Sequence, residues 1–140
     1  ADHTRIFLQN QDGGKLPFPD GHFSGVVMDN VIEHISSQDV EGVLRELLRV
    51  LAPGGVLLIG VPGARGYAAD KDHKCFYSES ALVELLAKFG CVRRRTMHAP
   101  FYFPGLGRWL RQYCLYVLFQ GPGPAPAAGG GLGCAGSSCH

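Results

Sequence analysis

Leu44-Arg45-Glu46-Leu47-Leu48-Arg49-Val50-Leu51-Ala52-Pro53-Gly54-Gly55-Val56-Leu57-Leu58-Ile59-Gly60-Val61 carries the chain from a helix into a strand, and that junction decides the fold. Val40, Val43, Leu44, Leu47, Leu48 and Leu51 fall on one face at helical period, with Glu41, Arg45, Glu46 and Arg49 largely on the other. Ser36 can cap this helix, and Asp39 lies in its first turn, where the helix dipole favours an acid. Pro53-Gly54-Gly55 stops the helix. Val56 to Val61 is short, continuous and apolar, the pattern of a central parallel strand covered on both faces.

Working outward, Gly25-Val26-Val27-Met28 reads as a second such strand. Ile6-Phe7-Leu8 reads as a short strand before the turn Asp12-Gly13-Gly14. Pro62 to Asp72 is a Gly-rich loop. Ser78 caps another helix, with Leu82, Leu85, Leu86 and Phe89 on one face and Gly90 as its left-handed terminator. Cys91 to His98 and Cys114 to Phe119 read as strands, joined by Ala99 to Tyr113 with a short helix at Gly107 to Tyr113. Strands alternating with helices are the rhythm of an α/β layered domain. From Gly121 onward Gly, Pro and Ala dominate, and such a segment cannot bury enough apolar surface to order itself. The expected organisation is one domain over residues 1–120 and a disordered tail over 121–140.

The net charge of +1 argues against a general nucleic-acid or membrane-surface binder, which needs a basic excess. Arg93-Arg94-Arg95 is the basic run, and it reads as a solvated strand edge. Cys75, Cys91, Cys114, Cys134 and Cys139 are odd in number and scattered. That is no disulfide framework, and it points to a reducing, cytoplasmic compartment. Cys134, Cys139 and His140 lack a fourth partner nearby, so zinc is not expected there. The longest apolar runs fall far short of the ~18 residues of a membrane span.

Leu16-Pro17-Phe18-Pro19-Asp20, then Asn30-Val31-Ile32-Glu33-His34, then Leu44 to Leu51 running into Ala52-Pro53-Gly54-Gly55, come in an order and spacing that resembles the class I S-adenosylmethionine-dependent methyltransferases. Within these they resemble the small-molecule branch that contains the quinone-biosynthesis enzymes. The resemblance covers Asp12 to about Gln120. It implies a Rossmann-like α/β fold, of which this chain holds strands three to seven of a seven-stranded sheet. The last strand would run antiparallel between the fifth and the sixth. The implied cofactor is S-adenosylmethionine, and the implied reaction moves a methyl group to an oxygen, nitrogen or carbon nucleophile of a small-molecule acceptor. One departure stands out: the family usually has Phe-Asp before its fourth strand, and here Phe23 is followed by Ser24-Gly25.

Carried over residue by residue, Asp12 takes the position whose carboxylate accepts from the adenine amine, with Gly13 beside it. The other reading of Asp12 is a turn residue. Asn30 and Val31 directly follow a strand and line the methionine end of the cofactor, since ligands of open α/β sheets sit outside the carboxyl ends of strands. Asn30 could equally cap the next turn. His34 is the catalytic candidate, with a side chain able to take a substrate proton near neutrality. Its other reading is closure of a short turn. Some relatives bind a divalent metal through Glu-x-x-Glu-His. Asn30 stands in place of the first Glu, so no metal is expected. His73 and Tyr77 resemble residues that roof the acceptor site, with a helix cap and loop anchoring as the alternative. Tyr67, His98 and Tyr102 are weaker pocket candidates.

The family's Gly-rich cofactor loop and ribose-binding acid precede these blocks, and here only Ala1 to Lys15 do. The expectation is a truncated domain that alone binds the cofactor weakly or not at all, with an open sheet edge able to self-associate. The competing function is a non-catalytic methyltransferase-like module that binds a partner through that edge.

Overall fold

The computed structural model describes residues 14–99 and 113–123. Four strands form one sheet in the order β1-β2-β4-β3, with β1 Phe23–Asp29, β2 Leu51–Pro62, β3 Val92–Ala99 and β4 Cys114–Gln120. β1 and β2 are parallel, and β4 runs antiparallel to both β2 and β3. This is the arrangement expected for the family's fourth, fifth, seventh and sixth strands. Ile6-Phe7-Leu8, Asp12, Gly13, Tyr102, most of the expected helix at Gly107 to Tyr113 and residues 124–140 lie outside the described residues.

α1, Val40–Val50, buries Val40, Leu44 and Val50 and packs Val43, Leu47 and Leu48 against the same core. The helical period read from the sequence is therefore the packed face. Ser36 closes the turn before the helix: its hydroxyl donates to Asp39 Oδ2 (2.6 Å) and accepts from the Asp39 amide (3.3 Å). The chain passes from α1 into β2 without a loop, since Leu51 is already extended, and Gly54 within β2 takes a left-handed φ of 71°. Leu57, Ile59 and Val61 of β2 are essentially fully buried. Gly54 and Gly55 also exchange backbone hydrogen bonds with Pro122 and Gly121, at 2.8 Å each, so the first residues past β4 are held against the start of β2.

Two local readings differ from the structure. Pro62 to Asp72 is not all loop, since Ala64–Ala68 forms a short helix, α2. β1 is not covered on both faces among the described residues. Val26 and Met28 face the core while Val27 is 67% exposed. The Ser24-Gly25 departure coincides with a break in register between Phe23 and Gly25 where β1 meets β2.

α3, Glu79–Ala87, is capped by the Ser78 hydroxyl accepting from the Ala81 amide at 3.2 Å, buries Leu82 and Leu86, and is followed by Gly90 at φ 75°. β3 is an exposed edge. Arg94 bonds Gln120 and Arg93 lies 3.6 Å from Glu79, so the triple arginine is a solvated strand edge. Among the described residues no helix is long and apolar enough to cross a membrane.

Candidate functional site

β1 and β2 end side by side, and the polar groups gather where they end. The Asn30 amide bonds the Gly60 carbonyl at 3.0 Å, which ties the first residue past β1 to β2. Asn30 then turns to φ 51°, a left-handed conformation that Asn tolerates better than most side chains. Its Nδ2 donates to Asp29 Oδ1 at 3.1 Å. Gly60 is required here, because a Cβ at that position would run into Asp29 Oδ1 and the Tyr116 ring. Burial, and then Asp29, push the Tyr116 hydroxyl above its ordinary range. Val31, 45% exposed, lines a cleft of about 680 Å³ between the edge of β1 and α1, together with Gly14, Leu16, Val43 and Leu47. Gly14 therefore shares a cleft with Val31.

Past this cleft, Ile32–His34 makes one turn of 3-10 helix. The Glu33 carbonyl accepts from the amides of Lys74 (2.8 Å) and Cys75 (3.2 Å), pinning the loop before α3 to this turn. The Glu33 side chain is 1% exposed, and neither carboxylate oxygen has a hydrogen-bond partner. His73 Nε2 lies 3.9 Å from Oε1. The other nitrogen of His73, Nδ1, is 2.8 Å from the Tyr67 carbonyl. A carbonyl only accepts, so Nδ1 carries the hydrogen there. Nε2 also lies 3.8 Å from Asp70 Oδ2. The Tyr67 ring stacks on His73 with centroids 5.2 Å apart and planes 13° apart, and the His34 ring sits 4.7 Å away on a tilt. Glu33, His34 and His73 each present a donor atom within 4.8 Å of the others.

The structure thus brings His34 and His73 together at the end of the sheet where Asn30 and Val31 lie. It directs Tyr77 elsewhere. That side chain packs against the core and its hydroxyl pairs with Cys75, so burial first and Cys75 second push it up to about 12. His98 stacks on Tyr113 at the end of β3. The sequence reading weighed Glu33 only as part of the Glu-x-x-Glu-His stretch and passed over Asp70. The available signal was the spacing Tyr67, Asp70, His73, which repeats every three residues past the start of α2.

Residues 2–59 match the family model of a methyltransferase domain. The chain is 32% identical over 125 residues to an uncharacterized protein of Mycobacterium tuberculosis, covering 78% of this chain and 42% of that protein. It is 44% identical over 55 residues to a demethylmenaquinone methyltransferase of Parafrankia, covering 39% of this chain and 21% of that enzyme. A solved S-adenosylmethionine-dependent methyltransferase of Aquifex aeolicus superposes at a TM-score of 0.56 and 21% identity, over 82% of this chain and 54% of that one. The matches and the fold support a class I S-adenosylmethionine-dependent methyltransferase. It spans less than half the length of the mycobacterial relatives. In this methyltransferase fold, Asp29 to His34 occupy the carboxyl side of the parallel pair, the end at which open α/β sheets take their ligands.

Proposed function

We propose that this chain serves S-adenosylmethionine-dependent methyl transfer to a small-molecule nucleophile. The observation that carries the reading is adjacency. The Asn30–Val31 turn and the Glu33–His34–His73 cluster lie within one short stretch past β1. A cofactor end and an acceptor end would then meet across a single helical turn. Two similarities favour a small acceptor. The Parafrankia relative is named as a demethylmenaquinone methyltransferase. A 1,6-didemethyltoxoflavin-N1-methyltransferase of Burkholderia thailandensis, solved with its substrate and S-adenosylhomocysteine, has the same fold at 15% identity and a TM-score of 0.57, over 74% of this chain and 45% of that one.

The residues present fit the methionine end of the cofactor. The cleft beside Val31, about 680 Å³, falls in the ~300–1,000 Å³ range of ligand pockets. Asp29 and Asn30 are exposed beside it and offer both donors and acceptors. Asn30 and Val31 would hold this end, and Asp12 with Gly13 the adenine. When bound, S-adenosylmethionine supplies an electrophilic methyl group. What the protein adds is mostly positioning, and uptake of the proton that an oxygen or nitrogen nucleophile must give up. His34 and His73 are the groups suited to that proton, and Glu33 is the charge beside them. Tyr77 stays an acceptor-side proposal only through its neighbour Cys75. The cytoplasm is the proposed compartment, from the scattered cysteines.

In the full-length protein, His34→Ala should lower turnover by ~10²–10⁴ and leave S-adenosylhomocysteine affinity unchanged by calorimetric titration. Asp12→Ala should lower that affinity. Equal, small effects from both substitutions would return both residues to structural roles. A second reading, a non-catalytic module, has one observation in its favour: among the described residues β1 is an edge strand with Val27 exposed. A stable dimer that binds no S-adenosylhomocysteine would favour it.

A further inference from the structure

We propose that Glu33, His34, Asp70 and His73 bind an organic ammonium ion, which makes the methyl acceptor an amine. The second clause rests on the functional reading above; the cation site itself does not. Glu33 supplies the first argument. Its carboxylate is 1% exposed, neither oxygen has a hydrogen bond, and among the described residues no lysine or arginine pairs with it. A buried charge is stable only when it is paired and hydrogen-bonded, so the arrangement calls for a cation from outside the chain. His73 supplies the second. Its Nδ1 hydrogen is committed to the Tyr67 carbonyl at 2.8 Å, which turns the lone pair of Nε2 toward Glu33 Oε1 (3.9 Å) and Asp70 Oδ2 (3.8 Å). The Asp72 amide donates to Asp70 Oδ1 at 3.0 Å and holds that carboxylate in place. Three acceptors thus face one another. A hydrogen added to Nε2 would not satisfy the two oxygens, because N–H···O bonds span about 2.7–3.2 Å and both oxygens lie farther off.

Spacing decides which cation fits. His34 stands on the same 3-10 turn as Glu33, and Glu33, His34 and His73 each present an atom within 4.8 Å of the others. A tetrahedral ammonium with hydrogen bonds of about 2.9 Å sets its acceptors about 4.7 Å apart. A metal ion with bonds of about 2.1 Å draws its ligands to about 3.4 Å. With 3.9 Å between Glu33 and His73 and no gap above 4.8 Å in the trio, the cluster takes an ammonium by small side-chain adjustments. The walls agree. The Tyr67 ring stacks on His73, and Phe76, half exposed, meets Tyr67 edge-on with centroids 5.3 Å apart. Aromatic faces attract organic cations. In the reaction the bound ammonium gives one hydrogen to a ring nitrogen of His34 and becomes the free amine. The amine lone pair then forms the N–C bond as the C–S bond of the methyl donor breaks. That bond's electron pair stays on sulfur, and the product leaves as a methylated ammonium.

The test is calorimetric titration of the chain, near neutral pH and with a chelator present, using benzylamine as the probe. Benzyl alcohol and benzoate serve as its neutral and anionic analogues. The site predicts one saturable equivalent of benzylamine, bound at least about 10-fold tighter than benzyl alcohol, and no binding of benzoate. Glu33→Gln and Asp70→Asn should each weaken benzylamine by about 10-fold or more, the size of one hydrogen bond to a charged group. Neither should change benzyl alcohol. The Asp70 side chain is 49% exposed, so its variant keeps the test valid if Glu33→Gln fails to fold. Benzylamine that binds no better than benzyl alcohol, benzoate that binds as well, or an affinity unchanged in a folded variant would each overturn the proposal. S-adenosylhomocysteine is titrated separately. Binding of benzylamine without S-adenosylhomocysteine supports the cation site and removes the functional reading, and the reverse result removes the cation site alone.

Discussion

Arg49 and Glu33 are both charged groups held against the core, and the fold treats them oppositely. Arg49 sits on α1 with every guanidinium nitrogen engaged. Nε and Nη2 donate to the two oxygens of Glu46, Nη1 to Asp20 Oδ1 and the Phe18 carbonyl, and Nη2 also to the Leu16 carbonyl. The Leu16 amide returns a bond to Glu46 at 2.7 Å. This network fastens the Leu16-Pro17-Phe18-Pro19-Asp20 stretch onto the helix. Glu33 is buried more deeply and has no hydrogen bond to its carboxylate. A satisfied cluster is explained by the fold it holds together. An unsatisfied one lowers stability, and its retention needs another reason. The contrast sets an unsatisfied group past the carboxyl end of β1 against a satisfied one that holds Leu16 to Asp20 on α1.

The largest expected effect tests the unsatisfied side. Glu33→Met replaces the carboxylate with an apolar side chain of similar size. In chelator-treated protein it should raise the free energy of unfolding by about 1–3 kcal/mol, the usual cost of a buried polar group without a partner. Urea unfolding reads this as a higher midpoint at unchanged slope. A lower midpoint would mean that Glu33 is structurally paired, and the comparison would fail. Arg49→Met should act in the opposite direction, lowering the midpoint. The loss should be the smaller of the two, because Asp20 is 82% exposed and its share of the network is screened by water. Little change in that variant would mean the network is decorative.

The smallest effect sharpens the same contrast through pH. The Arg49 guanidinium holds the Glu46 carboxyl down from 4.5 to about 2. A carboxylate with a depressed folded-state value contributes stability above its unfolded value and loses it as pH falls through the folded one. The stability difference between wild type and Glu46→Gln should therefore be full above about 4.5 and shrink toward about 2. Unfolding midpoints across that window check it. A difference flat across the window would remove Glu46 from the network's energetics.

The helix-to-strand junction was legible because its signals are local. Leu44, Leu47, Leu48 and Leu51 repeat at helical period, and Val56 to Val61 is uninterrupted. Ser78 and Gly90 punctuated α3 for the same reason. The antiparallel return of β4 came from the family resemblance, since nothing in Cys114 to Gln120 states its direction. α2 was hidden because Gly63 and Gly66 argue for a loop. The Gly63 amide, bonded to the Tyr113 carbonyl at 2.7 Å, sets where that helix begins through a contact no local window contains. His34 was legible as chemistry, but its partner His73 was not legible as a neighbour. That proximity depends on the Glu33 carbonyl capturing the Lys74 and Cys75 amides, a contact between distant segments. The open outer face of β1 at Val27 was missed because an apolar run states only that a strand is buried somewhere.

The order of strands has a consequence for synthesis. Among the described strands β2 is central, yet one of its two neighbours, β4, is made after the other three. Roughly fifty residues separate Pro62 from Cys114, which at ~5–20 residues per second is about 3–10 s of translation. Throughout that interval Leu57, Ile59 and Val61 have emerged but their partners Phe119, Val117 and Leu115 have not. On the ribosome β2 is therefore a waiting template, and its exposure time is set by the distance to β4.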